Sequence, residues 1–260
     1  MKTFEELGVS EDIRRAIEEL GFEHPMPVQE EVIPYLLDKK ADIIALAQTG
    51  TGKTAAYGLP VLQNTDPSNK TTQAVILSPT RELCLQIADD LNGFAKYIEG
   101  LHIVAVYGGT DIGSQIRTLK HGVQIIVATP GRLVDLMKRG VAQLETVKKI
   151  VLDEADEMLR MGFAEDVETI AASVPDERLT ALFSATAPWS ARSIGTVATT
   201  AAAPQILLPA PISQLVCLSR PKTFWPIKQA SKKVLVRVRT SMAIPLTPTS
   251  AICEKVRRKP

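Results

Sequence analysis

The stretch AQTGTGKT, which begins at Ala47, combines residue types that bind phosphate groups, and it follows the apolar run ADIIALA. Gly50 and Gly52 let backbone N–H groups converge on phosphate oxygens without a Cβ in the way. Lys53 would reach the terminal phosphates, and Thr54 would ligate Mg²⁺. The pattern G-x-x-x-x-G-K-[ST] has glycine in place of Ala47, and a plain glycine-rich turn is the alternative. The Lys-Thr ending favours a nucleoside triphosphate site.

A second apolar run, KKIVLDEAD, ends in carboxylates. Asp153 is placed to hold Mg²⁺, directly or through water, and Glu154 to orient or deprotonate an attacking water. Acids after a strand are on their own more often a helix start that complements the helix dipole. Together with the phosphate-binding stretch they predict phosphoryl transfer to water. Lys53, Asp153 and Glu154 are the catalytic candidates, and Thr54 and Asp153 are the metal ligands.

Six short runs rich in Val and Ile would carry these residues: ADIIALA, QAVILSP, LHIVAVYG, VQIIVATP, KKIVLDEAD and TALFSAT. Helical patterns lie between them. In residues 81–98, for example, Leu83, Ile87, Leu91 and Phe94 recur three or four positions apart. This alternation predicts an α/β fold in which helices flank a parallel sheet on both faces. Ligands of such sheets bind at the carboxyl ends of the strands, which is where the polar residues stand.

Seven motifs resemble, in order and spacing, those of the DEAD-box ATP-dependent RNA helicases, and the resemblance covers about residues 3–188. The motifs are GFEHPMPVQ, AQTGTGKT, PTREL, the glycine pair of YGG, TPGR, DEAD and SAT. The resemblance implies a RecA-like P-loop domain that uses ATP and Mg²⁺. It also implies a grip on the RNA backbone that is independent of base sequence.

The resemblance gives GFEHPMPVQ the role of recognising the base. Gln29 would read adenine, because its amide offers one donor and one acceptor to the N6 and N7 edge and misfits guanine. A polar residue at a helix start near Pro27 is the alternative for Gln29. The residues implied for ATP binding are Phe4, Phe22, Gln29, Ala47, Gln48, Thr49, Gly50, Thr51, Gly52, Lys53 and Thr54.

Three further motifs follow strands and would contact RNA. Hydroxyl groups, guanidinium groups and free N–H groups at helix starts can bind a nucleic-acid backbone. Each motif alone could be only a helix start with a capping threonine and a first-turn proline. The residues implied are Pro79, Thr80, Arg81, Gly108, Gly109, Thr129, Pro130, Gly131 and Arg132. The resemblance also assigns Asp156, Ser184 and Thr186 to the coupling of ATP state to RNA work, with a strand-end turn as the alternative.

The resemblance stops near residue 188, and residues 189–260 match nothing in the family. From residue 190 onward there are 12 basic residues against one acid, whereas residues 1–189 hold 18 basic and 28 acidic residues. One interpretation is a disordered basic, proline-rich extension that binds RNA. The other, which we favour, is translation out of frame after a frameshift near Pro188. Either leaves a truncated helicase without the second RecA-like domain and its arginines.

The composition fits a cytoplasmic protein. The three cysteines, Cys84, Cys217 and Cys253, are widely spaced and contain no Cys-x-x-Cys pair, so neither a disulfide framework nor a zinc site is expected. The net charge is +1, so there is no global basic field. We expect a monomer that binds no membrane. A DNA-directed translocase and a non-catalytic ATP- and RNA-binding fragment remain as alternative functions.

Overall fold

A parallel six-stranded sheet forms the centre of the computed structural model, which describes residues 2–38 and 42–186. The strands are β1 (Ile43–Leu46), β2 (Ala74–Leu77), β3 (Ile103–Val106), β4 (Ile125–Ala128), β5 (Lys149–Leu152) and β6 (Leu179–Ser184). Five lie within their apolar runs, β6 begins one residue before the run TALFSAT, and every pairing is parallel. The predicted α/β fold is confirmed for the described residues. The predicted tail lies outside them.

Helices cover both faces of the sheet. They are α1 (Glu11–Glu19), α2 (Pro27–Leu37), α3 (Lys53–Gln63), α4 (Arg81–Phe94), α5 (Ile112–Lys120), α6 (Pro130–Lys138), α7 (Ala155–Arg160) and α8 (Ala164–Ala172). Successive strand residues point to opposite faces, so that Ile43 joins one hydrophobic cluster and Ile44 the other. Within the described ranges, no helix has the length and apolar character needed to cross a bilayer.

The helix predicted over residues 81–98 is α4, and it ends at Phe94. Its start is fixed by Thr80, whose hydroxyl oxygen accepts a hydrogen bond from Leu83 N at 3.2 Å. Ile87, Leu91 and Phe94 are buried on one face, as their spacing predicts. The last buried residue of this face coincides with the end of the helix.

The strand order is β1-β6-β5-β2-β4-β3. The stretches implied in ATP chemistry follow β1 and β5, and the SAT stretch begins at Ser184, the last residue of β6. The stretches implied in RNA contact follow β2, β4 and β3. The sheet is thus divided into a half that carries the nucleotide motifs and a half that carries the RNA motifs, and the two halves meet where β5 pairs with β2.

Candidate functional site

The loop between β1 and α3 has the backbone shape of a phosphate cradle. Gly50 and Gly52 have φ of 78° and 79°, a region that glycine adopts without steric cost. Helix α3 begins directly at Lys53, so its positive end points into the loop. At the other end of the loop, Ala47 N donates to Ser184 O at 3.0 Å. Between them Gln48 and Thr49 are exposed, and the Thr51 hydroxyl donates to Gln48 O at 2.7 Å.

Lys53 carries the charge at the centre of the site. It is only 6% exposed, and its Nζ has no hydrogen-bond partner among the described residues. The same Nζ lies 3.8 Å from Asp153 Oδ1 and 3.9 Å from Glu154 Oε1, which is too far for a hydrogen bond. A buried ammonium group normally requires such bonds. The phosphate oxygens of a nucleotide fit this requirement.

Asp153 is held by both of its oxygens. Oδ1 accepts a hydrogen bond from Glu154 N at 3.0 Å, and Oδ2 accepts one from the buried Tyr57 hydroxyl, also at 3.0 Å. Burial raises the pKa of Asp153, while the Lys53 charge and the Tyr57 hydrogen bond oppose the increase. Burial also raises the pKa of Tyr57 well above its usual value, so its hydroxyl remains a proton donor.

Glu154 lies at the start of α7 with φ 49° and ψ 51°, the left-handed region that side chains other than glycine rarely adopt. Burial raises the pKa of its carboxyl, and the nearby Lys53 charge works in the opposite direction. A raised pKa makes a carboxylate a stronger base for accepting a proton from water. The strained backbone directs this base toward the same space as Lys53 Nζ, since the two groups are 3.9 Å apart.

The predicted adenine-reading residue is bound to the phosphate loop. Gln29 is 1% exposed, its Oε1 accepts from Met26 N at 2.9 Å, and its Nε2 donates to Gly52 O at 3.1 Å. Phe4 is buried and packs edge-on against the half-buried Phe22, with ring centroids 6.5 Å apart. The structure therefore places Gln29 beside the cradle, while Phe4 belongs to the hydrophobic core.

The three predicted coupling residues meet at the end of β6. Thr186 donates to Asp156 Oδ2 from both its hydroxyl, at 2.7 Å, and its backbone N–H, at 3.2 Å. The Ser184 hydroxyl donates to Thr186 O at 2.5 Å. Burial works to raise the pKa of Asp156, but hydrogen bonding, above all from Thr186, outweighs it and the pKa is lowered. Asp156, the last acid of DEAD, is thereby hydrogen-bonded to Thr186, the last residue of SAT.

The hydrogen bonds between Thr186 and Asp156 predict that the free energy of unfolding depends on pH. Because the pKa of Asp156 is lower in the folded state than in the unfolded state, its hydrogen bonds stabilise the fold above the unfolded pKa, and the stabilisation disappears as the pH falls through the folded pKa. Thr186→Val should lower the free energy of unfolding by about 1 kcal/mol at pH 7. The deficit should shrink as the pH falls below about 4. Urea unfolding across this pH range would measure both effects.

Thr118→Val is the matched control, because the exposed Thr118 hydroxyl donates to the carbonyl oxygen of Ser114, which does not titrate. Its effect on unfolding should be independent of pH. A Thr186→Val deficit that stays constant down to pH 3, where about half or more of an ordinary Asp is protonated, would show that Asp156 is not the group through which Thr186 acts.

The motifs after β2 and β3 come together although β4 lies between these strands. Arg81 is exposed at the start of α4, and its Cζ lies 5.0 Å from the centre of the Tyr107 ring. Gly108 and Gly109 are exposed, and a Cβ built on Gly109 would lie 3.9 Å from Arg81 Nη1. Arg81 therefore stands beside the glycine pair with its guanidinium stacked on an aromatic ring. Pro79, in contrast, is buried.

The motif after β4 is tied to α5. Arg132 Nη1 donates to Gln115 Oε1 at 3.0 Å, and Nη2 donates to Thr110 O at 3.3 Å. Pro130 is the first residue of α6, Gly131 follows it half-buried, and the Thr129 side chain makes no capping hydrogen bond. In this respect Thr129 differs from Thr80, whose hydroxyl caps α4.

Sequence reasoning missed three residues that support the site: Tyr57, Tyr107 and Gln115. Tyr57 has the spacing of an ordinary buried residue of α3, and nothing local marks its hydroxyl as a partner for Asp153, 96 positions away. Tyr107 directly precedes the glycine pair and could have been noticed. Gln115 is buried and also donates to Tyr107 O at 3.1 Å, so it joins the Arg132 motif to the strand that ends at Val106.

Comparison with known proteins identifies relatives of this chain. The family model described as DEAD/DEAH box helicase matches residues 26–194. ATP-dependent RNA helicase DeaD of Escherichia coli K12 is 52% identical over 192 residues, which are 74% of this chain and 30% of the relative. DEAD-box ATP-dependent RNA helicase CshA of Geobacillus kaustophilus is 48% identical over 194 residues, which are 75% of this chain and 41% of the relative.

Solved structures share the fold. A DEAD box protein from Methanococcus jannaschii has a TM-score of 0.69 and 44% identity, over 72% of this chain and 50% of that protein. A variant of S. cerevisiae Dbp5 bound to RNA and ADP BeF3 has a TM-score of 0.66 and 34% identity, over 72% of this chain and 47% of that one. The chain thus spans half or less of these relatives. By its sequence match and its fold, the chain belongs to the DEAD/DEAH box helicase family.

Proposed function

We propose that residues 1–188 form the ATP-binding amino-terminal domain of an ATP-dependent RNA helicase, with ATP and Mg²⁺ as its cofactors. The observation that carries the proposal is the buried Lys53 ammonium group. It lies between two carboxylates and lacks a hydrogen-bond partner among the described residues, directly behind a glycine-rich loop. This ammonium group, which lacks hydrogen bonds to the described residues although two carboxylates are nearby, faces the site where the terminal phosphates of a nucleotide would bind.

The residues of the site divide the work of phosphoryl transfer. Lys53 would neutralise the phosphate oxygens, and Glu154 would orient or deprotonate the attacking water, aided by its raised pKa. No group of three or more Asp, Glu, His or Cys side chains in the described part of the chain could hold a metal ion. Magnesium would therefore be held by Thr54 and Asp153 together with the phosphates, where it would neutralise charge on the phosphate oxygens.

The RNA half of the proposal relies on the exposed groups that follow β2, β3 and β4. Arg81 and the glycine pair form one exposed patch, and Arg132 holds the Thr110 loop in place at its side. A guanidinium group with backbone N–H groups suits phosphate oxygens and ignores base identity. Since this half follows β2, β4 and β3, RNA would bind beside the nucleotide and not over it.

Duplex unwinding would need more than this domain. A second RecA-like domain would supply the arginines that stabilise the transferring phosphate, which contribute about 10³-fold or more to the rate. We therefore expect this chain alone to bind ATP and to hydrolyse it slowly. The division at residue 188, a cytoplasmic location suggested by the isolated cysteines, and a monomeric state belong to the same proposal.

The test is ATP binding and ATP hydrolysis by the full chain, with and without single-stranded RNA. Lys53→Ala should weaken ATP binding at least tenfold, because the phosphates lose their buried positive charge. Lys96→Ala is the control, since Lys96 is exposed, pairs with Glu19 and lies outside the glycine-rich loop. Equal ATP affinity in wild type and Lys53→Ala would contradict the proposed site. RNA-stimulated turnover lost in Lys53→Ala would show instead that the chain needs no second domain.

A further inference from the structure

Tyr57, on α3, carries a hydroxyl group into the hydrophobic core. It is fully buried, and its ring packs against Phe183 at the end of β6, with centroids 5.0 Å apart. Its hydroxyl donates to Asp153 Oδ2 at 3.0 Å. A phenylalanine would fill the same volume and make the same ring contact. The packing therefore explains the aromatic ring and leaves the hydroxyl to be explained by the carboxylate it meets.

Thr54 lies one helical turn before Tyr57 on the same helix, α3. Thr54 and Asp153 are the two residues proposed above to hold magnesium, and they come from different elements, α3 and the loop after β5. Tyr57 shares a helix with Thr54 and is hydrogen-bonded to Asp153. Its rigid ring therefore fixes the position of the Asp153 carboxylate relative to the helix that carries Thr54.

The contacts of Asp153 give its two oxygens different surroundings. Oδ2 is occupied by Tyr57, whereas Oδ1 faces Lys53 Nζ and accepts from Glu154 N. Rotation of the carboxylate would break the Tyr57 bond, and because Asp153 is only 3% exposed, the loss would leave a buried oxygen without its donor. The orientation that presents Oδ1 to the phosphate side is therefore the one that the protein stabilises.

We infer that Tyr57 is a positioning residue that fixes Thr54 and Asp153 relative to each other and thereby sets the affinity and selectivity of the nucleotide site for Mg²⁺. The inference rests on the proposed function, since it concerns the metal that accompanies ATP. Magnesium requires near-ideal octahedral geometry, whereas Ca²⁺ accepts irregular sites. Groups that orient metal ligands typically change metal affinity by about 10- to 100-fold when they are removed. Loss of Tyr57 should therefore affect magnesium more than calcium.

The experiment compares wild type with Tyr57→Phe, which keeps the ring against Phe183 and removes only the hydroxyl. A fluorescent ATP analogue is titrated onto the full chain at a series of Mg²⁺ concentrations, and separately of Ca²⁺ concentrations. The concentration of Mg²⁺ that gives half-maximal binding should rise about tenfold in Tyr57→Phe, while the Ca²⁺ midpoint should move by less than about threefold. Tyr97→Phe, which removes an exposed hydroxyl bound to Glu19, is the matched control and should move neither midpoint.

A double-mutant cycle separates positioning from general loosening of the core. If Tyr57 acts through Asp153, adding Tyr57→Phe to Asp153→Asn should cause no further rise in the Mg²⁺ midpoint. Midpoints that are unchanged in Tyr57→Phe, or that rise equally for both metals, would overturn the inference while leaving the ATP site intact. A wild-type chain that shows no metal-dependent binding of the analogue would overturn the proposed function, and the inference with it.

Discussion

Replacing Gly52 with alanine is expected to abolish ATP binding and to destabilise the fold. Gly52 has φ of +79°, which costs an alanine about 1–2 kcal/mol. The added Cβ would lie 2.4 Å from Gln29 Nε2 and 2.9 Å from Met26 Sδ, so both side chains must move. Gln29 would then lose its hydrogen bond to Gly52 O, at a further cost of about 1 kcal/mol. The variant should therefore be about 2–3 kcal/mol less stable than wild type.

The loss of ATP affinity should be at least about 100-fold, because the strained residue lies where backbone N–H groups must converge on phosphate. Gly140→Ala is the matched control: Gly140 has φ of +67°, and a Cβ there would meet nothing within 4 Å. It should lose stability from strain alone and keep its ATP affinity. Chemical denaturation and ATP titration measure the two quantities. A Gly52→Ala chain that binds ATP as tightly as wild type would show that this loop is not the phosphate site.

The second large effect is expected at Glu154. Two substitutions there should slow hydrolysis equally but should differ in their effect on stability. Glu154→Gln removes the base and should slow hydrolysis by about 10²- to 10⁴-fold while ATP binding is retained. Glu154→Gly should be equally slow but about 1 kcal/mol more stable than Glu154→Gln, because only the glycine relieves the left-handed backbone at φ 49°. Both variants lose the same negative charge, so their difference in stability contains no charge effect and combines relief of the backbone with loss of the side chain and the entropy of glycine.

Single-turnover hydrolysis with excess protein and urea unfolding give the two readouts. The slow turnover expected of the wild type can still be measured, since the release of radiolabelled phosphate can be followed for hours. Equal stability of the glutamine and glycine variants would mean that the strain at Glu154 is no larger than the entropic cost of glycine and the loss of the side chain. Unchanged hydrolysis in Glu154→Gln would remove Glu154 from the role of base and would leave its strained backbone without a functional reason.

The sequence is sufficient to predict the strands and the glycine-rich turn between β1 and α3, because both depend on local patterns. Runs of Val and Ile read as buried strands wherever they occur, and the Lys-Thr pair needs only the strand before it and the helix after it. The strand order is different. The insertion of β6 between β1 and β5 depends on pairings such as Ile43 with Ala181, which are far apart in the chain. No local pattern encodes them.

Other features could not be predicted because tertiary packing overrides local preference. Pro34 and Pro60 lie inside α2 and α3, although a proline usually marks a helix end. Glu154 adopts a left-handed backbone that its residue type disfavours. Gln29 was predicted beside the nucleotide base from a resemblance, and only the structure shows that its amide is bound to Gly52 O. In each case the deciding contact comes from another element.

The division of the sheet into two halves has a mechanical consequence. Six parallel strands joined by a continuous hydrogen-bond network resist sliding, so the sheet behaves as one stiff plate. A displacement produced where one ligand binds cannot travel through the plate by shifting strands. The loops at the common edge carry the motifs of both halves, so coupling between the halves would run through these loops. Exchange of the loops on one half of the edge should therefore change the site on that half and leave the sheet unchanged.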